Sequence, residues 1–534
     1  MALALGLWDD QSKLGELRVG RRTTMVGSLA VGGVFLGRGP ALVPKRKDLT
    51  TGVRSGEVTT DSAVLWSRAA DPGRMMVRLE SGARRALVKG PWTDGRTDLT
   101  ARIHLTDLAP GREYDATVWF EDQDGTRTVP EPLSFRTAPI HAAAQSVVWS
   151  GDMNGQGWGI DRRRGGMTTF RSILDVRPDL FINVGDTIYA DEPMEETTRL
   201  LDGSLWRNEL THEVTVIAQT LAEFRGRHRY PLRDDNLRDF YATVPSVVQW
   251  DDHETANNWW PGEFITEDGY DRERRADVLA TRARRAWQEY QPVPVKRLVP
   301  RDGDGFVPTR IYRKVPRGQH LDLFLLDMRS HRGPNSDNDP AVVRRRLPAG
   351  LLGREQEEWL VRELRRSTAT WKIISIDQPL SAPPSQVWDL DGVSNGDDGR
   401  PLGREQEIGR ILSAVKRHGI TGVHFVTADV HYTAAHHYAP ERAAFTDFEP
   451  FWEFVSGPLS CSPFTFRADE IDRTFGPETA FSHSKDFTYP GMAPPEPTYQ
   501  HFGELAIAAT GELTVVLRDG TGAVLWQTTL EPPG

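Results

Sequence analysis

From residue 49 to residue 139, apolar and polar positions alternate in short runs: SAVLWSR, MMVRLE, RRALVKG, ARIHL and YDATVWFED, with Gly, Asp and Pro between them. Period-two alternation with turn residues at this spacing predicts a small antiparallel β-sandwich. From residue 145 the texture changes. Unbroken apolar runs alternate with TTFRSILDV, EEWLVRELRRS and EIGRILSAVKRHG, whose apolar residues recur three and four apart. That period predicts helices, and strands alternating with helices predict an α/β layered domain over residues 145–534. The final stretch, ELAIAATGELTVVLRDGTGAVLWQTTLEP, returns to short strands and tight turns, predicted to complete a sheet of that domain. Residues 469–500, rich in Pro, Ser and Gly, are predicted to form a surface loop.

Two details refine the first domain. LAPGREYDATVWF places Tyr114 three residues after a Pro-Gly turn. This resembles the tyrosine corner of fibronectin type III domains, and Trp66 stands where such a domain keeps its core tryptophan. Upstream, Arg21 and Arg22 precede the small-residue apolar stretch at residues 25–36. The stretch is too short to span a bilayer and suits the apolar part of a signal peptide. Residues 1–45 are therefore expected to be a leader, with the paired arginines pointing to twin-arginine export machinery. That places the protein in an exported compartment, with a cytoplasmic one as the alternative.

The chain of 534 residues carries a formal net charge of -10, which disfavours a nucleic-acid scaffold. It holds one cysteine, Cys461, so neither an internal disulfide nor a cysteine metal cluster is available.

The apolar runs of the second domain share a feature. SVVWSGD ends at Asp152, LFINVGD at Asp186, SVVQWDD at Asp251 and Asp252, LDLFLLD at Asp327, WKIISID at Asp377 and GVHFVTAD at Asp429. Ligands of open α/β sheets bind beyond strand carboxyl ends. Aspartate after any one strand is ordinary turn chemistry. Carboxylates converging from six strand ends would repel one another and demand positive charge, which points to metal ions. Asp152 is followed by Asn154 and Asp429 by His431; on an extended exit, such i, i+2 pairs point the same way. Tyr189 follows Asp186, and His253 follows Asp252. A donor set of oxygens with a histidine and a phenol favours Fe(III), Ca²⁺, Mn²⁺ or Mg²⁺. An aspartate shared between two ions would make a two-metal hydrolytic site, with His253 as the natural acid.

In order, GD-x-N, GDTIY, WDDHE-x-x-NNW and ADVHYTAAH resemble the calcineurin-like metallophosphoesterases, and more narrowly the alkaline phosphatase D (PhoD-like) family. LDMRSHRGPN, WKIISIDQPL and PFWEFVSGPL belong to the same resemblance. It implies a four-layer αββα metallophosphoesterase sandwich behind the fibronectin-like domain. It also implies hydrolysis of phosphate esters by a metal-bridging hydroxide. Asp186 would bridge two ions. Asp152 and Tyr189 would complete the first site with His431 or Asp429, and Asp252 would anchor the second with Asp377 and the other of that pair. Fe(III) plus Ca²⁺ is the implied pairing, with Mn²⁺ or Mg²⁺ as alternatives. Some relatives carry a cysteine ligand at the first strand exit, where this chain has Asp152.

Arg329 is a candidate to fork onto the substrate phosphate, with a salt bridge to Asp327 as the alternative. Asn257 and Asn258 follow the DDHE block, and Asn258 is the candidate substrate contact. Trp259 and Trp260 could line the mouth of the site or pack inside. Cys461 is read as structural. Two further functional readings stay open. One is a phospholipase D-like phosphodiesterase acting on lipid or cell-wall diesters. The other is a non-catalytic surface-binding protein.

Overall fold

The six apolar runs are strands, and they divide three and three between two sheets. The computed structural model describes residues 48–534 apart from 296–297, 300–305, 307–308, 344–349, 383–389 and 487–490. The expected leader at residues 1–45 lies outside the described residues. Gln145–Ser150, Leu180–Asn183 and Ser246–Val248 run parallel side by side. Ser150 and Val248 both pair with Asn183, so the three strands end level. Leu321–Leu325, Trp371–Ser375 and Val423–Thr427 are likewise parallel and level, with Ser375 opposite both Leu325 and Val426. Strands covered on both faces read as continuous apolar runs, which is why the sequence shows no alternation here.

The two sheets face each other across Val147, Trp149, Ile182, Val247, Leu323, Leu325, Ile373 and Val426. The alternate residues Val148 and Phe181 point outward, under Phe170 and Ile173 of helix Thr169–Val176 and under Leu237 and Phe240 of helix Asp235–Tyr241. On the opposite side, Phe324, Ile374 and Phe425 pack against Trp359 and Leu360 of helix Arg354–Arg366 and against Ile408 and Leu412 of helix Glu405–Arg417. The order is helix, sheet, sheet, helix. The C-terminal strands His501–Ile507, Leu513–Asp519 and Val524–Leu530 extend the first sheet, as expected. Among the described residues no helix is long and apolar enough to cross a membrane.

In the N-terminal sandwich the Tyr114 hydroxyl accepts the Ala109 N–H at 2.7 Å, closing the expected corner. Its first sheet is not free-standing. Val53–Gly56 pairs parallel with Ser246–Val248 through Gly56 and Ser246, so Val53–Gly56, Ala63–Arg68 and Thr100–Leu105 continue the nine-stranded sheet. A Cβ on Gly56 would stand 2.6 Å from the Ser246 carbonyl oxygen, so the junction needs glycine. Trp66 differs from its expected place. It is buried against Val148 and Phe181 and donates to the Glu289 carbonyl at 2.8 Å, so it bonds the sandwich to the larger domain.

The predicted loop at residues 469–500 also differs, because it contains strand Pro477–His483, which pairs with Thr433–Tyr438 at the edge of the second sheet. That strand is only partly buried and carries little apolar signal.

Candidate metal centre

The level strand ends bring the exit residues into one space between the two sheets. Asp152, Asn154, Asp186, Asn258, Asp429 and His431 all have left-handed backbone conformations, with φ of 65°, 60°, 47°, 53°, 66° and 54°. Side chains in that region leave the chain at a different angle from those on a strand. The i, i+2 reasoning therefore fails. Asp152/Asn154 and Asp429/His431 are not extended pairs, and Asp429 and His431 turn toward different groups.

His431 joins the group around Asp152. Its Nδ1 lies 2.6 Å from the Ser462 carbonyl, which can only accept, so Nδ1 carries the proton. Nε2 lies 2.8 Å from the Tyr189 hydroxyl and 3.5 Å from Asp152 Oδ1. Burial pushes the Tyr189 phenol well up, with Asp186 and Asp152 adding to it. The Tyr189 ring lies on Gly155, where a Cβ would come within 2.6 Å of it.

Asp429 joins Asp251 and Asp252, whose carboxylate oxygens lie within 4.8 Å of its own. Arg329 is enclosed among these acids with 0% side-chain exposure. Its guanidinium reaches Asp251 at 2.5 Å, Asp391 at 3.2 Å, Asp252 at 3.4 Å, and Asp377 and Asp429 at 3.8 Å. The Arg329 guanidinium is thus surrounded by carboxylates of the centre, while its Nη2 makes no hydrogen bond. Nor does its side chain bridge to Asp327. Asp327 takes Arg284 at 3.5 Å and caps the Arg329 and Ser330 N–H groups, so the fourth strand exit holds a loop.

His253 stands between the groups. Its Nδ1 lies 2.9 Å from Asp191 Oδ1, its Nε2 lies 4.0 Å from Asp252 Oδ2, and its ring stacks on Tyr189 at 4.2 Å. Burial opposes its protonation, yet Asp191, Asp252 and Asp186 together hold its pKa well above the usual histidine value. Asp186, Asp252 and His253 also present ligand atoms within 4.8 Å of one another.

Glu254 ties the exits together. It accepts the N–H groups of Asp186, Thr187 and Asp251 at 3.2, 2.6 and 2.6 Å. Gly185 allows this approach, since a Cβ there would meet Asp251 Cβ at 2.6 Å. Asn258 donates its backbone N–H to Asp252 at 2.6 Å and offers its carbonyl to Asn335.

One arginine does not neutralise this cluster. Burial pushes the carboxyls of Asp186, Asp377 and Asp429 well up, and neighbouring aspartates push them further. Burial also raises Asp252, but Arg329 and His253 outweigh it and hold Asp252 down to about 2. Asp152 Oδ2, Asn154 Oδ1, Asp252 Oδ1 and both Asp377 oxygens are buried without a hydrogen-bond partner. Orphaned acceptors in this density fit bound cations.

Asp191, Glu254 and Asp391 were not assigned roles from the sequence. The first two lie inside the GDTIYAD and WDDHE blocks, where a signal existed. Asp391 comes from a loop and had none. Trp259 packs inside, against Trp250 at 5.8 Å, and does not line a mouth.

A family model described as PhoD-like phosphatase matches residues 147–515, and one described as PhoD-like phosphatase, N-terminal domain, matches residues 38–139. Alkaline phosphatase D of Bacillus subtilis (strain 168) is 28% identical over 413 residues, 72% of this chain. The match spans 64% of that relative's length, just under two thirds. A solved structure described as "Structure of PhoD" superposes with a TM-score of 0.68 at 19% identity, covering 91% of this chain and 90% of that one. Purple acid phosphatase PPD1 from yellow lupin (Lupinus luteus) seeds gives 0.51 at 15% identity, covering 90% of this chain and 73% of that one. These two likenesses show the fold.

Proposed function

Because the chain belongs to the PhoD-like phosphatase family, we propose that it hydrolyses phosphate esters at this carboxylate centre with bound metal ions. The observation that carries the reading is the convergence of strand-exit acids whose buried oxygens lack partners. Asp152, Asn154, Tyr189 and His431 would hold one ion, Asp252, Asp377 and Asp429 a second, and Asp186 would lie between them. A phenol and an imidazole favour Fe(III) or a borderline ion in the first position, and carboxylates alone favour Ca²⁺ in the second, with Mn²⁺ or Mg²⁺ as alternatives. When bound, the ions supply the activation of the attacking water and the neutralisation of charge on the phosphoryl oxygens.

The remaining work falls to the chain. Asp191 fixes the His253 ring and keeps it protonated, so His253 Nε2 can donate to the leaving oxygen. The Asn258 backbone orients Asp252, and we assign its side chain to the phosphate. We assign Arg329 to compensating the charge of the surrounding carboxylates. Export rests on Arg21, Arg22 and residues 25–36 of the sequence alone.

The test is turnover of p-nitrophenyl phosphate and of its bis ester by protein stripped with EDTA and then reloaded. Metal-restored turnover that Asp186→Asn reduces to below a few per cent, with circular dichroism unchanged, is the expected result. Absence of metal-restored turnover on either ester would overturn the reading. The ratio of the two rates decides between monoester and diester preference.

A further inference from the structure

The His253 ring is held by two residues of one turn. The Tyr189 ring stacks on it at 4.2 Å, and Asp191 Oδ1 lies 2.9 Å from its Nδ1. Asp191 Oδ2 also accepts the Asn257 N–H at 2.6 Å. The backbone of the turn is fixed in its own right. Ala190 donates to the His253 carbonyl at 2.8 Å, and the Ala190 carbonyl accepts the Ala218 N–H at 2.8 Å. The carbonyls of Tyr189 and Glu192, on either side, both accept from Arg227 Nη1, at 2.7 and 2.9 Å.

Arg227 stands in the last turn of helix Leu221–Arg229 and is 2% exposed. Its Nη2 donates to the Val216 carbonyl at 2.7 Å, so one guanidinium gathers carbonyls from two segments. Among the described residues no carboxylate makes a salt bridge with it. Burial pushes its pKa down to about 10, with Asp191 and Glu192 opposing the shift, so it keeps its charge at neutral pH. Burying a cation without a paired carboxylate is costly. Here the groups that compensate it are the carbonyls of the turn that carries both partners of His253.

We propose that Arg227 is a positioning residue for the reaction: by binding the Tyr189 and Glu192 carbonyls it holds Tyr189 and Asp191 against His253, and so keeps His253 Nε2 aimed at the leaving oxygen. This inference rests on the phosphoesterase reading above. Arg227 acts on the turn's backbone and reaches the chemistry only through His253. A misplacement of about 1 Å at a reacting group costs on the order of 10²-fold in rate, so a loosened turn is felt in turnover before it is felt in the fold.

The test uses metal-loaded protein and esters that differ only in leaving group, phenyl and p-nitrophenyl, as phosphate monoesters and as methyl diesters. Phenolate is the more basic leaving group and needs the proton; p-nitrophenolate leaves largely without it. Arg227→Met should lower kcat on the phenyl ester by on the order of 10²-fold. It should lower kcat much less on the p-nitrophenyl ester, with KM and metal content unchanged. Arg227→Lys keeps the charge but loses the fork, and should fall between. It decides on the same ratio if Arg227→Met does not fold. In a His253→Ala background Arg227→Met should cost little more, because residues that act through one another are not additive. Equal losses on both leaving groups, or a full additional loss without His253, would overturn the inference and leave the phosphoesterase reading intact. A metal-loaded wild type that turns over none of these esters would overturn both.

Discussion

Replacing Arg329 with Met tests whether one guanidinium carries the charge balance of the metal-free centre. Arg329 is fully enclosed and lies within 2.5 to 3.8 Å of Asp251, Asp391, Asp252, Asp377 and Asp429. Met keeps most of the stem and removes the charge. Breaking a buried ion pair from one side costs about 3–5 kcal/mol, and here one cation serves five acids, so the upper end applies. Set against a typical total of about 5–15 kcal/mol, that is a large fraction of the stability. The acids have one escape, which is to take up protons. Without Arg329, Asp252 is no longer held down, and Asp251, which burial already raises, moves further above its unfolded value. The folded state then binds more protons than the unfolded state, so stability falls as pH rises through that window. The loss should therefore be small at about pH 5 and complete at about pH 8. Calcium offers a second escape: at a free concentration about 100 times its Kd it would return about 2.7 kcal/mol. The assay is urea unfolding followed by tryptophan fluorescence, at both pH values, in EDTA and in calcium. A variant within about 1 kcal/mol of wild type at the higher pH in EDTA would refute the charge argument, because such a difference is ordinary for substitutions without a special mechanism. A loss that ignores both pH and calcium would refute it too, and would mark a packing defect instead.

Three further outcomes are expected. Asp186→Asn should abolish turnover while leaving the fold, as measured by phosphate release and circular dichroism. His253→Ala should slow turnover by roughly 10²–10⁴-fold with metal content by elemental analysis unchanged; a fall in bound metal would make His253 a ligand. Glu453, buried and accepting the Tyr438 hydroxyl at 2.6 Å and the Leu380 N–H at 2.7 Å, is pushed up by burial to about 7. A raised folded pKa means the native state holds the proton longer, so wild-type stability should fall by about 3 kcal/mol between about pH 4.5 and 7 on this group's account. Glu453→Gln should flatten that part of the profile, and an unchanged slope would show that the group ionises freely.

The central strands were legible because they are buried on both faces, so SVVWS, LFIN, LDLFL, WKIIS and VHFVT read as unbroken apolar runs. The acid at each exit was legible as a residue but not as a direction. Asp327 and Asp377 end similar strands, yet one caps a loop beside Arg284 while the other faces Arg329. Partners that arrive from loops, such as Asp391, carry no periodic signal, and only the tertiary fold brings them in. The sandwich hid its junction for a different reason. Gly56 against Ser246 is a single pairing between segments 190 residues apart, and neither segment's pattern refers to the other.

The left-handed exits are held in place by the chain's own groups. Strained backbone of this kind costs of order 1–3 kcal/mol per residue and persists only where the surroundings over-determine it. Here they do. Glu254 takes the N–H groups beside Asp186 and Asp251, Asp152 is clamped by Leu459 and Ser460, and Ser462 holds the His431 ring. The strain is also at the low end, because Asp, Asn and His tolerate this region better than other non-glycine residues. Those are the same three residue types that ligate hard and borderline metals. The backbone conformation that turns a strand exit inward and the chemistry that binds a cation therefore select the same side chains. A change such as Asp429→Glu, which keeps the charge, should still cost metal affinity, because it lengthens the side chain and loses the left-handed preference together.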